Sequence, residues 1–222
     1  MEGILFVLVT GCQWGKLPKC FPSSSTCCRR FDEWTRWGIF EGLWFALLEQ
    51  LKELGHIDWR EAAADAWFAR TKKGDSVGNT KCGKGCNVVD IVDTKGTPLA
   101  VHITAANHNE VKLIEPTLDQ LQLPHRVPEH LIYDRAADSD ALRKRLMDQR
   151  GIELVCPHRK GRKRKPTQDG RACRKYKRRY KVERTHSWFH NFRRTIIRYE
   201  TTLLRYTGWI HLACALITLR RL

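Results

Sequence analysis

Ten residues from Glu61 to Arg70, EAAADAWFAR, constrain the fold of this chain more than any other stretch. They alternate as a strand does, with Asp65, Trp67 and Ala69 on one face and Ala64, Ala66 and Phe68 on the other. Two further strands follow, CNVVDIVD and TPLAVHITA, joined through a hairpin turn at DTKG. The stretch HNEVKLIEPTLDQLQ reads as a helix starting near Asn107 or Asn109. A short strand, HLIY, ends on Asp134. A helix over DALRKRLMDQR is capped by Ser139 and closed by Gly151, and IELVC is one more strand. A basic loop, a helix through Tyr176 and His190, and a last helix to Leu222 complete the chain. This order predicts an α/β fold, a mixed sheet with helices packed against it.

Residues 1–55 read differently. From Cys28 the residues Phe31, Trp34, Trp37, Phe40, Trp44, Leu47, Leu48 and Leu51 recur at helical steps, with Gly38 as a break and Ser25 or Thr26 as a cap. This predicts a small helical N-terminal module (1–55) ahead of the α/β domain (56–222). It either docks on DNA through Arg29, Arg30 and Arg36 or packs on the second domain as a lid. GILFVLV lacks the basic flank of a signal peptide, and WIHLACALITL is about half the length needed to span a bilayer. Both are expected in the core.

Charge narrows the partner. The chain of 222 residues carries a formal charge of +16, and Arg159 to Arg198 holds 17 basic and two acidic residues, +15 of that total. A polyanion is therefore expected as partner, nucleic acid rather than membrane, because the aromatic residues do not gather on one amphipathic face. Nine cysteines form no regular framework and are read as reduced thiols in a cytoplasm.

Asp65 interrupts an apolar strand, where an unpaired carboxylate costs several kcal/mol unless something compensates it. Asp134 stands at the carboxyl end of its strand, where ligand sites of open α/β sheets gather. Glu183 lies amid a run of lysines and arginines, within about a 60° helical arc of Tyr176, Arg179 and His190 and beside the apolar stripe Val182, Phe189, Phe192 and Ile196. Read alone, Glu183 is a surface residue paired with Arg179 one turn earlier. Taken together, the three carboxylates suit Mg²⁺, a hard cation that takes oxygen ligands, and two such ions about 3.5–4 Å apart can serve both oxygens of a phosphodiester displacement.

Three segments carry a family resemblance: ADAWFARTKKGDSVGNTKCGKG, LIYDRAADSDALRKRL and YKRRYKVERTHSWFHNFRRTIIRYE. The last fits a Tyr-x2-Arg-x3-Glu signature at Tyr176, Arg179 and Glu183, and TGCQWGKLP with SSTCCRRFDEW is similar to the N-terminal module of the same group. The chain resembles bacterial insertion-sequence transposases of the DDE type. The resemblance implies an RNase H-like catalytic domain and a triad of Asp65, Asp134 and Glu183 binding two Mg²⁺ or Mn²⁺ ions. It also implies cleavage at transposon ends followed by strand transfer into target DNA. The implied partner is double-stranded DNA, with a homodimer as one assembly, in the nucleoid of a bacterial cytoplasm. A derivative that occupies transposon ends without chemistry is the alternative, and a plain nuclease a third reading.

The family pattern has more helix before GILFVLV, so an incomplete end-recognition module is expected. Ala137 stands where an aromatic is common and His190 where a Lys is common. Tyr176 and Arg179 are expected to position DNA or the triad. Further DNA contacts are expected from Lys72, Lys73, Lys81 and Lys84, from Arg159, Lys160, Arg162, Lys163, Arg164 and Lys165, and from Arg184, His190, Arg193 and Arg194.

Several competing sites are weaker. Cys82 and Cys86 do not have the spacing of a zinc pair, and no second pair matches them. His186 and His190, four residues apart, are a lesser metal candidate than Glu183. Asp138 and Asp140 are expected at a helix start, favoured by its dipole. Asp90 and Asp93 are expected to flank the hairpin, Asp93 as a turn residue.

Overall fold

The computed structural model describes residues 1–123, 126–163, 165, 167 and 172–222, with the backbone alone at 172 and 173. Its centre is a mixed sheet of β1 (Glu61–Arg70), β2 (Gly78–Thr80), β3 (Gly83–Asp93), β4 (Pro98–Ala105), β5 (His130–Ile132) and β6 (Glu153–Val155). β3 lies between β1 on one side and β2 and β4 on the other, all antiparallel, while β5 and then β6 extend the sheet parallel to β1. The strand reading of EAAADAWFAR holds over its whole length, and its alternation separates two cores. Ala62 and Ala64 pack with Ile91, Leu131 and Leu146, whereas Trp67 and Ala69 pack with Val88, Phe189 and Trp209.

Helices cover both faces, as expected of a mixed α/β sheet. On one face lie α4 (Ile114–Leu118) and α5 (Asp140–Arg150). α5 has the expected ends: Ser139 Oγ accepts from the Leu142 N–H, and Gly151 sits at φ +67°. On the other face lie α7 (Tyr180–His190), α8 (Arg193–Ile196) and α9 (Leu203–Leu219). They are joined there by α1 (Glu2–Thr10), α2 (Ser24–Arg36) and α3 (Ile39–Glu53). Ile4, Phe31, Trp44 and Leu48 from these first three helices share one apolar cluster with Trp67, Val88, Leu99 and Trp209. Trp44 is fully buried and its Nε1 donates to the Pro98 carbonyl at 3.1 Å. Of the two roles expected for the N-terminal helices, packing on the second domain is the one seen. Gly208 permits the close crossing of α9 and α2, since a Cβ there would stand 2.5 Å from Thr35 Oγ1.

Four local expectations change. The cap of α2 is Ser23, which accepts from the Thr26 N–H, in place of Ser25 or Thr26; Gly38, at φ +67°, does break α2 from α3. The polar, glycine-punctuated stretch after β1, which reads as a loop in the sequence, contains β2, whose Gly78–Thr80 pairs with the start of β3. The long helix expected after Asn109 is a 3-10 turn (Glu110–Lys112) followed by the five-residue α4, because Pro116 has no N–H to continue a ladder and fits only a first turn. The helix expected through Tyr176 is three pieces: α6 (Ala172–Lys175), a 3-10 turn (Tyr176–Arg179) and α7.

Candidate active site

β5 pairs with β1 only from Glu61 to Ala63, with Ala63 opposite Ile132. Two residues further along each chain stand Asp65 and Asp134, so the register carries both carboxylates to the same level where β5 ends. Asp134 turns there into a 3-10 turn (Arg135–Ala137), and its Oδ1 accepts the Ala136 N–H at 2.7 Å. The third carboxylate arrives on α7. Val182 is fully buried against Ala63, Ile132 and Val155, which sets the next residue, Glu183, beside the Asp65 face of β1.

Two arginines fasten the 3-10 turn before α7 to β1. Arg178 Nη1 donates to both oxygens of Glu61 at 2.6 Å. Arg179 reaches Asp65 Oδ2 through Nη1 at 2.7 Å and Glu183 Oε1 through Nη2. One guanidinium therefore bridges the carboxylate from the middle of the sheet and the one from the late helix. The i−4 pairing of Glu183 with Arg179 is present, but as half of this bridge. Burial raises the Asp65 carboxyl above its usual range, against the Ala66 N–H, His186 and Arg179, which favour its charge.

Further carboxylates crowd the same place. Asp90 lies directly opposite Asp65 in the β1–β3 register and is fully buried. His186, one turn after Glu183 on α7, shares a hydrogen bond with Asp90 Oδ1 through Nε2 at 2.7 Å and packs on Trp67 with ring centroids 4.9 Å apart. Burial opposes charge on the His186 ring, but the adjacent Asp90 outweighs it and raises its pKa; burial raises that of Asp90. Asp90 is thus an interior residue paired with α7 and does not flank the hairpin. Asp93 does occupy the turn, accepting the Lys95 and Thr97 N–H groups. Glu110 is half-buried, its pKa raised by burial and by the charges of Asp134 and Asp65. Sequence reasoning missed Asp90 and Glu110 at this site. For Asp90 the signal was available, since it interrupts an apolar strand as Asp65 does.

The donor set, carboxylate oxygens at a strand end, fits a hard divalent cation. Among the described residues, however, no three His, Cys, Asp or Glu side chains stand close enough together to hold a metal. The expected three-ligand cluster is therefore not assembled in this structure. The Arg179 guanidinium provides the positive charge between Asp65 and Glu183.

The expected DNA contacts divide by surroundings. Lys72, Lys73, Lys81, Lys84, Arg159, Lys160, Lys163, Lys165, Arg184, His190 and Arg193 are exposed. Arg159 donates through Nη2 to the Ala136 carbonyl at 2.7 Å, and Arg184 to that of Lys95 at 2.8 Å. Arg162 is paired with Asp140 at 2.7 Å. Tyr176 is half-buried against the small cluster around Val182. Arg194 is a correction: only 6% exposed, it pairs with Glu200 at 2.7 Å and stacks over Trp209, so it belongs to the core. Arg164 lies outside the described residues. Ala137 is fully buried, with no room left for an aromatic side chain without displacement. Cys82 is exposed and Cys86 buried, and among the described residues no group of three metal-ligating side chains includes them. No helix is long and apolar enough to cross a membrane among the described residues.

Comparison with known proteins gives a consistent picture. A family model described as "Transposase DDE domain" matches residues 55–218, and one described as "Putative transposase of IS4/5 family" matches residues 1–44. The "Putative transposase for insertion sequence element IS402" of Burkholderia cepacia is 38% identical over 59% of this chain and 63% of its own length. The "Putative transposase for insertion sequence element IS6501" of Brucella ovis is 31% identical over 59% of this chain and 95% of its own. The match thus spans less than two thirds of the first relative. A structure of the Mos1 strand transfer complex is 11% identical with a TM-score of 0.31, over 98% of this chain and 77% of that one, a likeness from which no shared detail follows.

Proposed function

Because this chain belongs to the transposase DDE-domain family, we propose that it cuts DNA at the ends of an insertion sequence and joins those ends to target DNA. The observation that carries this reading is the meeting of Asp65 and Glu183, from the middle of the sheet and a late helix, on one guanidinium, with Asp134 two residues beyond the last β1–β5 pair. Asp65, Asp134 and Glu183 are the residues that would hold Mg²⁺ or Mn²⁺. When bound, such ions activate the attacking oxygen and stabilise the leaving one.

The chain's own residues do the rest. Arg178 and Arg179 hold the start of α7 against β1 and keep Glu183 aimed at Asp65. The buried Asp90–His186 pair fixes the next turn of α7. The exposed cations at Lys72, Lys73, Lys81 and Lys84, and at Lys160, Lys163, Lys165 and Arg193, bind DNA phosphates, whose charge dominates affinity. Apolar packing beneath Glu183 leaves its carboxylate outside the core.

The test separates chemistry from binding. Asp65→Asn is expected to abolish Mg²⁺-dependent nicking of end-containing DNA while DNA affinity stays within about twofold of the parent. Nicking that persists in this variant excludes Asp65 from the reaction. The derivative that binds ends without cutting predicts instead that the parent protein itself never nicks.

A further inference from the structure

Very little chain aims Asp134. β5 stops at Ile132, and the carboxylate opens a single 3-10 turn, Arg135–Ala137, whose Ala136 N–H it accepts at 2.7 Å. A turn this short has almost no ladder of its own, so its carbonyls need donors from elsewhere. Arg159 supplies them. Its Nε donates to the Arg135 carbonyl at 3.2 Å and its Nη2 to the Ala136 carbonyl at 2.7 Å. The backbone N–H of the same residue donates to Asp138 Oδ2 at 2.8 Å, and Asp138 closes the turn with its own N–H on the Arg135 carbonyl at 3.2 Å. One arginine thus holds the turn at its carbonyls and at its exit.

Arg159 is held in turn from behind. Asp138, with a side chain 4% exposed, also accepts from Arg143 Nη1 at 2.7 Å. Arg143 Nη2 donates to the Cys156 carbonyl at 3.1 Å, which ties this anchor to the residue that follows β6, the neighbour of β5 in the sheet. The Arg162 N–H donates to the Arg159 carbonyl at 3.2 Å, fixing the start of the basic loop. A guanidinium engaged on two carbonyls offers less to a phosphate than exposed lysines such as Lys160 do.

We infer that Arg159 is a positioning residue for Asp134, a clamp on the turn that aims the carboxylate, and not one of the DNA contacts expected of the basic loop. Its consequence for cleavage rests on the proposed transposase reading; the clamp itself does not. The chain of action is short. The guanidinium holds two carbonyls, the turn so held presents the Ala136 N–H, and that N–H orients Asp134 Oδ1. A planar fork of donors serves two carbonyls at once, whereas a lysine ammonium is a point charge that does not reproduce it. A phosphate contact would tolerate that exchange far better. Misplacement of a reacting group by about 1 Å can cost about a hundredfold in rate.

The experiment compares Arg159→Lys and Arg159→Gln with Lys160→Ala, three changes at exposed side chains. It reads amide hydrogen exchange of the free protein, DNA affinity over a range of salt, and nicking of end-containing DNA at saturating DNA. Both Arg159 variants are expected to exchange the 133–138 segment at least about tenfold faster, since local opening there loses its clamp. They are also expected to nick at least about tenfold more slowly at saturation, with the slope of log affinity against log salt kept. Lys160→Ala is expected to do the reverse: a slope lower by about 0.9, with exchange and saturated rate unchanged. An Arg159→Lys variant that matches the parent in exchange and nicking, while Arg159→Gln loses affinity, makes Arg159 a phosphate contact and overturns the assignment. So does exchange unchanged in both variants, or quickened equally through β1 and α5. A parent protein that never nicks contradicts the transposase reading, and the exchange measurement then still decides the clamp.

Discussion

Asp138 shows how one carboxylate disposes of charge in a strongly basic chain. Its side chain is 4% exposed. It accepts from the Arg159 N–H at 2.8 Å and Arg143 Nη1 at 2.7 Å, and hydrogen-bonds His158 Nδ1 at 3.0 Å. Burial alone would raise its pKa, but these partners outweigh burial and hold it at about 2, below the usual 3.8. The folded pKa is depressed, so the stabilisation is present above the unfolded value and is lost as pH falls from about 3.8 through about 2. The difference corresponds to about 2 kcal/mol. Asp138→Asn is therefore expected to lower thermal stability at neutral pH and to flatten the acid limb between those values, read by unfolding at a series of pH. An unchanged acid limb would remove Asp138 from this role. The same anchoring explains why the basic loop was only partly readable from sequence. Composition gave its charge but not which cations are spent internally, as Arg162 is on Asp140 and Arg159 on the Ala136 carbonyl.

At the scale of elements, α7 decides the site. A continuous amphipathic helix was the natural reading of Tyr176 to His190, and the apolar positions Val182 and Phe189 are indeed fully buried. The break into a 3-10 turn before Tyr180 was not legible, because it follows from two tertiary pairings, Arg178 with Glu61 and Arg179 with Asp65. The buried Asp90–His186 pair escaped for the same reason, since neither residue announces the other across the intervening chain. Removing one partner of such a pair leaves an uncompensated buried group, which costs about 3–5 kcal/mol, while replacing both with apolar residues of similar size is often neutral. Asp90→Leu alone is expected to destabilise strongly. Combined with His186→Phe, which keeps a ring against Trp67, it is expected to recover most of the loss in thermal denaturation. Additive losses would show that the pair does not couple β3 to α7.

On the scale of the whole molecule, the succession of strands and helices along the chain was largely readable, because alternation and capping are local signals; their order in the sheet was not. The division expected at residue 55 rested on a change in sequence pattern. The core nevertheless runs through it: Trp44 and Leu48 pack with Leu99 and Trp209. Convergence of Asp65, Asp134 and Glu183 was expected from spacing and resemblance in the sequence; the structure joins Asp65 to Glu183 through Arg179 and does not assemble all three into one cluster among the described residues. β5 ends where Asp65 begins to be uncovered, and Val182 seats α7 on Ala63 at that level. Arg179 keeps the like charges of Asp65 and Glu183 from repelling one another. The most direct measurement is nicking of end-containing DNA with and without Mg²⁺, comparing the parent with Glu183→Gln, which keeps the shape of the half-exposed side chain and removes its charge. Nicking that needs Mg²⁺ in the parent and falls by at least a hundredfold in the variant, with DNA binding retained, is the predicted result. Equal nicking by both proteins would contradict the account.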